Sequence, residues 1–372
     1  MRPFCTGLAL ALAAAAVALG VAPAAAQPAH VLGTVRDAAG EPLPGVNVYL
    51  SGTTRGTASR TDGAFHIAGV APGAYRVVAS MIGYGAEGVA VSLAPGDTVE
   101  LAFQLAEVVR EAGTVEVRAE RDRTWARRFQ RFREQLLGES RNADDCEILN
   151  PHVLDFRGRW GALVATAAEP LVIENRALGY RLTYDLQTFE GSHTSLRYHG
   201  DERFEALVPA DSAEARRWDR ARQRAYRGSM RHLLRALLAG TAEAEGFALT
   251  LTRRDPLGYR AAFVLPDRPV SDRRVFRTDS TGWGRFRASG RLGVRYTREP
   301  EDDAYLASEW FPDVRSRPDP SQQSWVQIRG RERVDPQGTP EDPFALTVSG
   351  YMAFERLADL LPAEYADPGF SP

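Results

Sequence analysis

The sequence predicts an N-terminal all-β sandwich followed by an α+β domain in which a long amphipathic helix lies across an antiparallel sheet. Three observations carry this. Between Val31 and Leu105, glycine and proline turns punctuate short apolar runs. From Tyr180 to Gln187, apolar and polar residues alternate strictly, the pattern of a strand with one buried face. Between residues 211 and 239, apolar residues recur at helical spacing on an arginine-rich segment.

Taken in order, residues 1–26 carry Arg2, an apolar run from Leu8 to Val21 and small residues at Ala24 and Ala26, which reads as a cleaved signal peptide. Cys5 precedes the apolar run and is lost with it. Cys146 is then the only cysteine of the mature chain, so no internal disulfide is expected. With 44% hydrophobic and 25% charged residues, stability is expected from core burial.

Residues 27–112 form the expected sandwich. Val31–Val35 is a strand, Gly45 turns the chain into the alternating run Val46–Leu50, Asp62 and Gly63 make a hairpin turn before Phe65–Ile67, and Pro72 and Gly73 make another before Tyr75–Val78. Gly83 marks one more turn. Residues 113–138 form a linker and amphipathic helix, with Trp125, Phe129, Phe132, Leu136 and Leu137 on one face and Gly138 as its stop. Residues 139–372 form the α+β domain. Its strands are Tyr180–Leu186, Leu249–Thr252, Leu292–Tyr296, Trp325–Ile328 and Leu346–Val348; its long helix is capped by Asp211 or Ser212 and stopped by Gly240, and a last helix spans Met352–Leu361 before Pro362.

The motifs Gly33-Thr34-Val35, Pro42 through Val48, Gly52-Thr53, Thr61-Asp62-Gly63, Pro72 through Tyr75 and Ser80 through Tyr84 resemble the carboxypeptidase regulatory-like domain. The resemblance covers about a fifth of the chain. It implies a transthyretin-like sandwich of about seven strands, an accessory module common in envelope proteins of the Bacteroidota, and does not by itself imply peptidase activity. Pro170–Tyr180 and Tyr226–Leu234 resemble the companion region of exported proteins that carry the same module, a group without an assigned activity.

Catalytic motifs are sparse. His199-Gly200-Asp201-Glu202 has a His-x-x-Glu spacing, but a catalytic zinc needs a third ligand and an open position, so the tetrapeptide reads as a polar turn. No His-Glu-x-x-His or Gly-x-Ser-x-Gly occurs. Asp144, Asp145 and Glu147 flank Cys146 and oppose a thiolate, which makes it structural. His193 and His232 have no evident partner. Glu299, Glu301, Asp302 and Asp303 lack calcium-loop spacing and read as a solvated loop. No catalytic, cofactor-binding or metal residue and no cofactor is assigned.

All 46 basic residues are arginine, and the net charge of -2 gives no bulk polyanion signal; with export, this argues against nucleic acid. Arg217, Arg220, Arg224 and Arg231 form a candidate surface for an acidic partner or peripheral outer-membrane association, the alternative being pairing within the chain. The leading expectation is a noncatalytic binding or assembly protein of the periplasm or outer membrane, with an envelope protein or glycan as partner. The alternatives are a periplasmic hydrolase with an unrecognised site and a receptor-like outer-membrane component. The chain beyond the linker is short for a large transporter barrel, which needs about 22 strands of about ten residues each.

Overall fold

The computed structural model describes residues 27–108, 119–158, 161–252, 268–308 and 317–369. The cleavage site up to Ala26 and the β-like piece Thr114–Val117 lie outside the described residues. No described helix is long and apolar enough to cross a membrane.

The first part is a sandwich of seven strands: β1 (Ala29–Asp37), β2 (Asn47–Leu50), β3 (Gly56–Ala58), β4 (Ala64–Val70), β5 (Gly73–Ser80), β6 (Glu87–Leu93) and β7 (Thr98–Leu105). One sheet has the order β4-β1-β7 and the other β3-β2-β5-β6. All pairs are antiparallel except β1 with β7. Val31, Val35, Val48, Leu50, Phe65, Ile67, Val77 and Phe103 fill the space between the sheets. Tyr49 and Val78 lie outside this core, yet they are only 2% and 1% exposed, so something covers the outer face of the β3-β2-β5-β6 sheet.

The turn residues fall where expected, but two of the turns do a different job. Asp62 Oδ1 accepts from Ala64 N at 3.0 Å and Gly63 takes φ 76°, but the chain passes there from β3 to β4, which belong to different sheets. Ala71 and Pro72 likewise carry the chain from β4 back to the other sheet, and Gly73 begins β5 without a positive φ. The predicted hairpins are therefore corners between layers, where the chain crosses from one sheet of the sandwich to the other. Gly45 and Gly83 do hold left-handed backbone, at φ 76° and 88°.

The second part opens with α1 (Ala119–Leu137) and the single-turn α2 (Arg141–Asp144), followed by β8 (Cys146–Ile148), β9 (Leu154–Arg157), β10 (Leu163–Ala167), β11 (Leu171–Asn175), β12 (Tyr180–Gly191) and β13 (Leu196–Ala206). These strands form one antiparallel sheet, β8-β11-β12-β10-β9, with β13 on the other edge of β12. Tyr180, Leu182, Tyr184 and Leu186 alternate inward as predicted and pack with Phe132, Leu136 and Leu137 of α1.

The expected long helix is two helices, α3 (Ser212–Tyr226) and α4 (Met230–Ala239). Asp211 caps α3 and Gly240 ends α4 at φ 71°, as predicted. Between them Gly228 adopts φ 80°, and the Ser229 hydroxyl accepts from His232 N to start a new helix. The break divides the labour: Ala221, Ala225 and Tyr226 of α3 join the first core, whereas Leu233, Leu234 and Leu237 of α4 join a second. That second core covers another antiparallel sheet, in which β14 (Phe247–Thr252) pairs with Gly290–Tyr296, itself paired with Gln322–Ile328 and then Thr347–Gly350. The sequence suggested one sheet; its strands are shared between two main sheets.

The predicted last helix is also interrupted. A single turn, Tyr351–Phe354, and a 3-10 turn, Leu357–Asp359, flank Arg356, whose φ of -131° is not helical. Its guanidinium donates to the carbonyls of Glu134 and Gln135 at the end of α1. That tie substitutes for a continuous helix.

Candidate cleft between the sandwich and the second part

The cover over Tyr49 and Val78 comes from the outer face of β12 and β13. Gly52 N donates to the Glu202 carbonyl at 2.7 Å and Phe204 N to the Thr53 carbonyl at 3.0 Å, extending the edge of β13 into the sandwich. Ala363 N donates to the Gly52 carbonyl at 2.7 Å, and Thr54 N to Glu364 Oε1, so the C-terminal segment ties the same point from the other side. Arg76 of β5 reaches Asp201 of β13 at 3.0 Å, and Gln187 Nε2 donates to the same carboxylate oxygen at 2.6 Å. Asp201 is 2% exposed, so this is a desolvated charge held by two donors. Gln337 meets the hydroxyl of Tyr75, whose burial raises it to about 12.

The joint is rich in buried charge. Burial pushes the Glu202 carboxyl up to about 7, an effect eased by Arg231, and burial beside Arg235 lowers the Arg231 guanidinium. Arg231 donates to the Leu361 carbonyl, and Arg235 donates to the carbonyls of Gln337, Ala363 and Tyr365. These arginines clamp the C-terminal segment rather than face solvent.

Beside this joint lies an open-sided cleft of about 470 Å³. One wall is the sandwich, with Asn47 and the β5–β6 loop from Ser80 to Ala86. The other wall is Ala167–Pro170 together with Thr183, Asp185 and Gln187 on the outer face of β12. The volume falls within the ~300–1,000 Å³ typical of small-ligand sites. Ile82, 81% exposed, stands at the lip. Tyr84 is half-buried, with its hydroxyl 3.3 Å from Glu107 Oε1. A larger hollow of about 850 Å³, beside Gly240–Ala244 and Pro269–Asp272, offers fewer hydrogen-bonding side chains.

The residues singled out from the sequence scatter. Arg217, Arg220 and Arg224 are exposed on α3, with Arg217 3.4 Å from Glu214, but Arg231 belongs to the buried joint and cannot share their surface. Of the turn residues, Gly83 lines the cleft, Gly73 abuts Gln337, and Gly45, Asp62, Gly63 and Pro72 shape the sandwich alone. His199-Gly200-Asp201-Glu202 is not a turn: it lies within β13, paired with β12 from Thr188 to Tyr184 across a bulge. Gly200 is needed there because a Cβ would come within 2.7 Å of the Tyr184 ring.

Cys146 is buried, and burial raises its thiol far above the ordinary range, with Asp359 adding to the effect. His193 is exposed in the β12–β13 loop. His232 is fully buried. Its Nδ1 accepts from Gly228 N at 3.1 Å, so the proton sits on Nε2 and is donated to Glu245 at 2.9 Å, and burial lowers its pKa in keeping with that neutral form. The ring staples the break between α3 and α4. The acidic run is not a solvated loop either: Glu301 is buried and accepts from Asp319 N, and Asp302 caps the helix Asp303–Ala307 while pairing with Arg141 at 2.8 Å. No group of metal-binding side chains occurs among the described residues.

Sequence reasoning missed the cleft. Its signal was the polar half of the Tyr180–Gln187 alternation, which reads as solvent-facing until the sandwich is seen against it.

Fold and joint define a regulatory-like β-sandwich docked on a mostly β second part. Residues 30–106 match the family model of the carboxypeptidase regulatory-like domain. The chain is also similar to a DUF3823 family protein from Parabacteroides merdae (13% identity, TM-score 0.19, 48% of this chain and 81% of that one). It is similar to a putative carbohydrate binding protein from Bacteroides uniformis (13% identity, TM-score 0.19, 50% and 76%). A cohesin-X-dockerin complex from Acetivibrio cellulolyticus is similar over 21% of this chain and 58% of that one, at 21% identity and TM-score 0.20. No curated protein matches the chain.

Proposed function

We propose that the protein is an exported, noncatalytic binding protein of the cell envelope, in which residues 27–112 serve as one fixed wall of a recognition cleft and residues 139–372 as the other. The observation that carries this reading is the cleft itself. Its walls present amides, hydroxyls and carboxylates around a few apolar side chains, a chemistry of recognition. The sandwich is held there by backbone hydrogen bonds and an ion pair from half-exposed Arg76 to buried Asp201, so the cleft is preformed and costs little ordering on binding. The export reading adds the signal-like segment ending near Ala26.

Cell fractionation with mass spectrometry of the N-terminus tests the export. Recovery of the chain from the periplasm or outer envelope with a terminus near Gln27 supports it; an intact Met1 terminus in the cytoplasm overturns it. For the cleft, exposed Ala168 on its wall is replaced by Trp, which fills space without removing a hydrogen-bonding side chain. Loss of ligand retention with an unchanged melt supports the reading.

A further inference from the structure

We infer that the outward face of α3, together with the apolar tip that leads into it, docks the protein on an anionic phospholipid leaflet. None of these residues lines the cleft, so the inference stands or falls apart from the cleft reading.

Arg216, Arg220 and Arg224 recur at every fourth residue of α3, which sets them in one line over about 12 Å of helix, and Arg217 flanks that line. All four are exposed, while Trp218, Ala221, Ala225 and Tyr226 take the other side of the helix into the core. Arg216 thus completes the face to which spacing alone had assigned Arg231. Like charges four residues apart disfavour a helix, and the chain does little to relieve them. Arg216 and Arg220 have no ion pair or hydrogen bond among the described residues, and Arg224 acts on Glu299 only through space. The acidic residues of the helix are occupied. Asp211 Oδ1 accepts from Ala213 N and Glu214 N, Glu214 accepts from Ala210 N and stands 3.4 Å from Arg217, and Asp219 lies 3.8 Å from Arg222. In a protein of net charge -2, this is a local excess of one sign, and its complement is an anionic surface.

The shape of the face selects the kind of surface. A stable protein interface buries about 800 Å² on each side around aromatic or aliphatic anchors. The outward arc of α3 offers no such anchor, since its other side chains are Ser212, Ala213, Asp219 and half-buried Gln223. A plane of phosphates needs only guanidiniums, which grip phosphate oxygens in pairs without a shaped pocket. The apolar contribution sits at the N-terminal end of the helix. Val208 is 90% exposed, more than any other large apolar side chain described, and Pro209 and Ala210 beside it are exposed as well. Binding at a membrane surface draws on buried apolar area and on attraction to anionic lipid, and here the two sources adjoin in the chain. Because the apolar face of α3 is committed to the core, the helix lies on the leaflet and only the tip enters it.

The test is co-flotation of residues 27–372 with vesicles of phosphatidylcholine, alone or with about one-third phosphatidylglycerol, at about 0.05 and 0.5 M salt. The wild type is compared with a stripe variant (Arg216→Gln, Arg217→Gln, Arg220→Gln and Arg224→Gln together) and with Val208→Ser. A control variant removes the same charge from exposed positions elsewhere, through Arg60→Gln, Arg277→Gln, Arg285→Gln and Arg287→Gln together. Melts are recorded for all. The expected result is binding to the phosphatidylglycerol vesicles at low salt, its loss at high salt, and none to phosphatidylcholine alone. An arginine at an anionic surface contributes about fivefold, so the stripe variant should lose at least about 100-fold at an unchanged melting temperature. Val208→Ser should lose at least about threefold and the control no more than about twofold. Failure to bind phosphatidylglycerol vesicles, or binding that survives high salt or the stripe variant, overturns the proposal. An equal loss in the control overturns it too, because bulk charge would then suffice. Binding indifferent to Val208→Ser overturns the docking geometry. If soluble polyglutamate binds through the stripe while vesicles do not, the leaflet is the wrong partner. Should the stripe variant melt lower, Arg216→Glu with Arg220→Glu takes its place.

Discussion

Replacing Gly63 with Val separates two costs that usually arrive together. Gly63 holds φ 76°, and a Cβ there would stand 2.4 Å from the Val35 carbonyl oxygen. That oxygen accepts from Leu43 N at 3.0 Å, while Val35 N donates to the Gly63 carbonyl at 2.9 Å, so the clash strikes a pair of backbone hydrogen bonds joining β1 to the corner. Left-handed backbone costs a branched residue about 1–3 kcal/mol. Displacing a packed backbone group adds a further amount of about 1–3 kcal/mol. Gly45 provides the control, because its φ is also 76° and nothing lies within 4 Å of its Cβ position. Gly63→Val should therefore destabilise by about 2–6 kcal/mol and Gly45→Val by only the first part. Urea unfolding followed by circular dichroism, with the slope checked for constancy, reads both. Equal losses at the two positions would refute the argument from the Val35 carbonyl.

Three further outcomes are expected. Arg76→Ala leaves the buried Asp201 carboxylate with the Gln187 amide as a side-chain donor; since Arg76 is 41% exposed, the loss should sit below the range for fully buried pairs, at about 2–3 kcal/mol by urea unfolding, and a loss under about 0.5 kcal/mol would count against the joint. Glu202 binds a proton more readily folded, at about 7, than unfolded, at 4.5, so its contribution to stability falls as pH rises from 4.5 to 7. His199 and His232, both lowered, act oppositely by losing stability as pH falls below 6.5, so the effect is read as wild type minus Glu202→Gln across pH 4.5–7.5; that difference should decline with pH, and a flat difference contradicts it. Cys146 should resist iodoacetamide in the native protein at neutral pH and react on unfolding, as read by mass spectrometry, given its burial and raised thiol.

The sandwich was legible because its signals are local. A glycine with positive φ at Gly45 or Gly63 and a β-branched alternation at Val46–Leu50 need no knowledge of distant residues. The inward half of β12 was legible for the same reason. What local pattern could not show was which surface each polar stripe meets. Thr183, Asp185 and Gln187 look like solvent-facing residues, and Asp201 and Glu202 like a turn, until a sandwich more than a hundred residues earlier packs on them. The helix break at Gly228 was hidden because Arg227, Gly228 and Ser229 sit inside an otherwise continuous helical spacing; a Cβ at Gly228 would meet Gln322 Oε1 at 2.0 Å, a long-range constraint. Arg231 was grouped with surface arginines by spacing alone, though it points into the joint.

The account depends most on the sandwich being fixed to the second part rather than tethered by a linker. Hydrogen exchange resolved to single amides in the mature chain tests this through Gly52, Phe204 and Ala363, whose N–H groups donate across the joint to the Glu202, Thr53 and Gly52 carbonyls. We expect these three to be protected to the same degree as paired amides within β12 and β13. Exchange at the rate of exposed loop amides, with β12 and the sandwich core still protected, would mean that the two parts move independently and that the cleft is not a standing feature of the molecule.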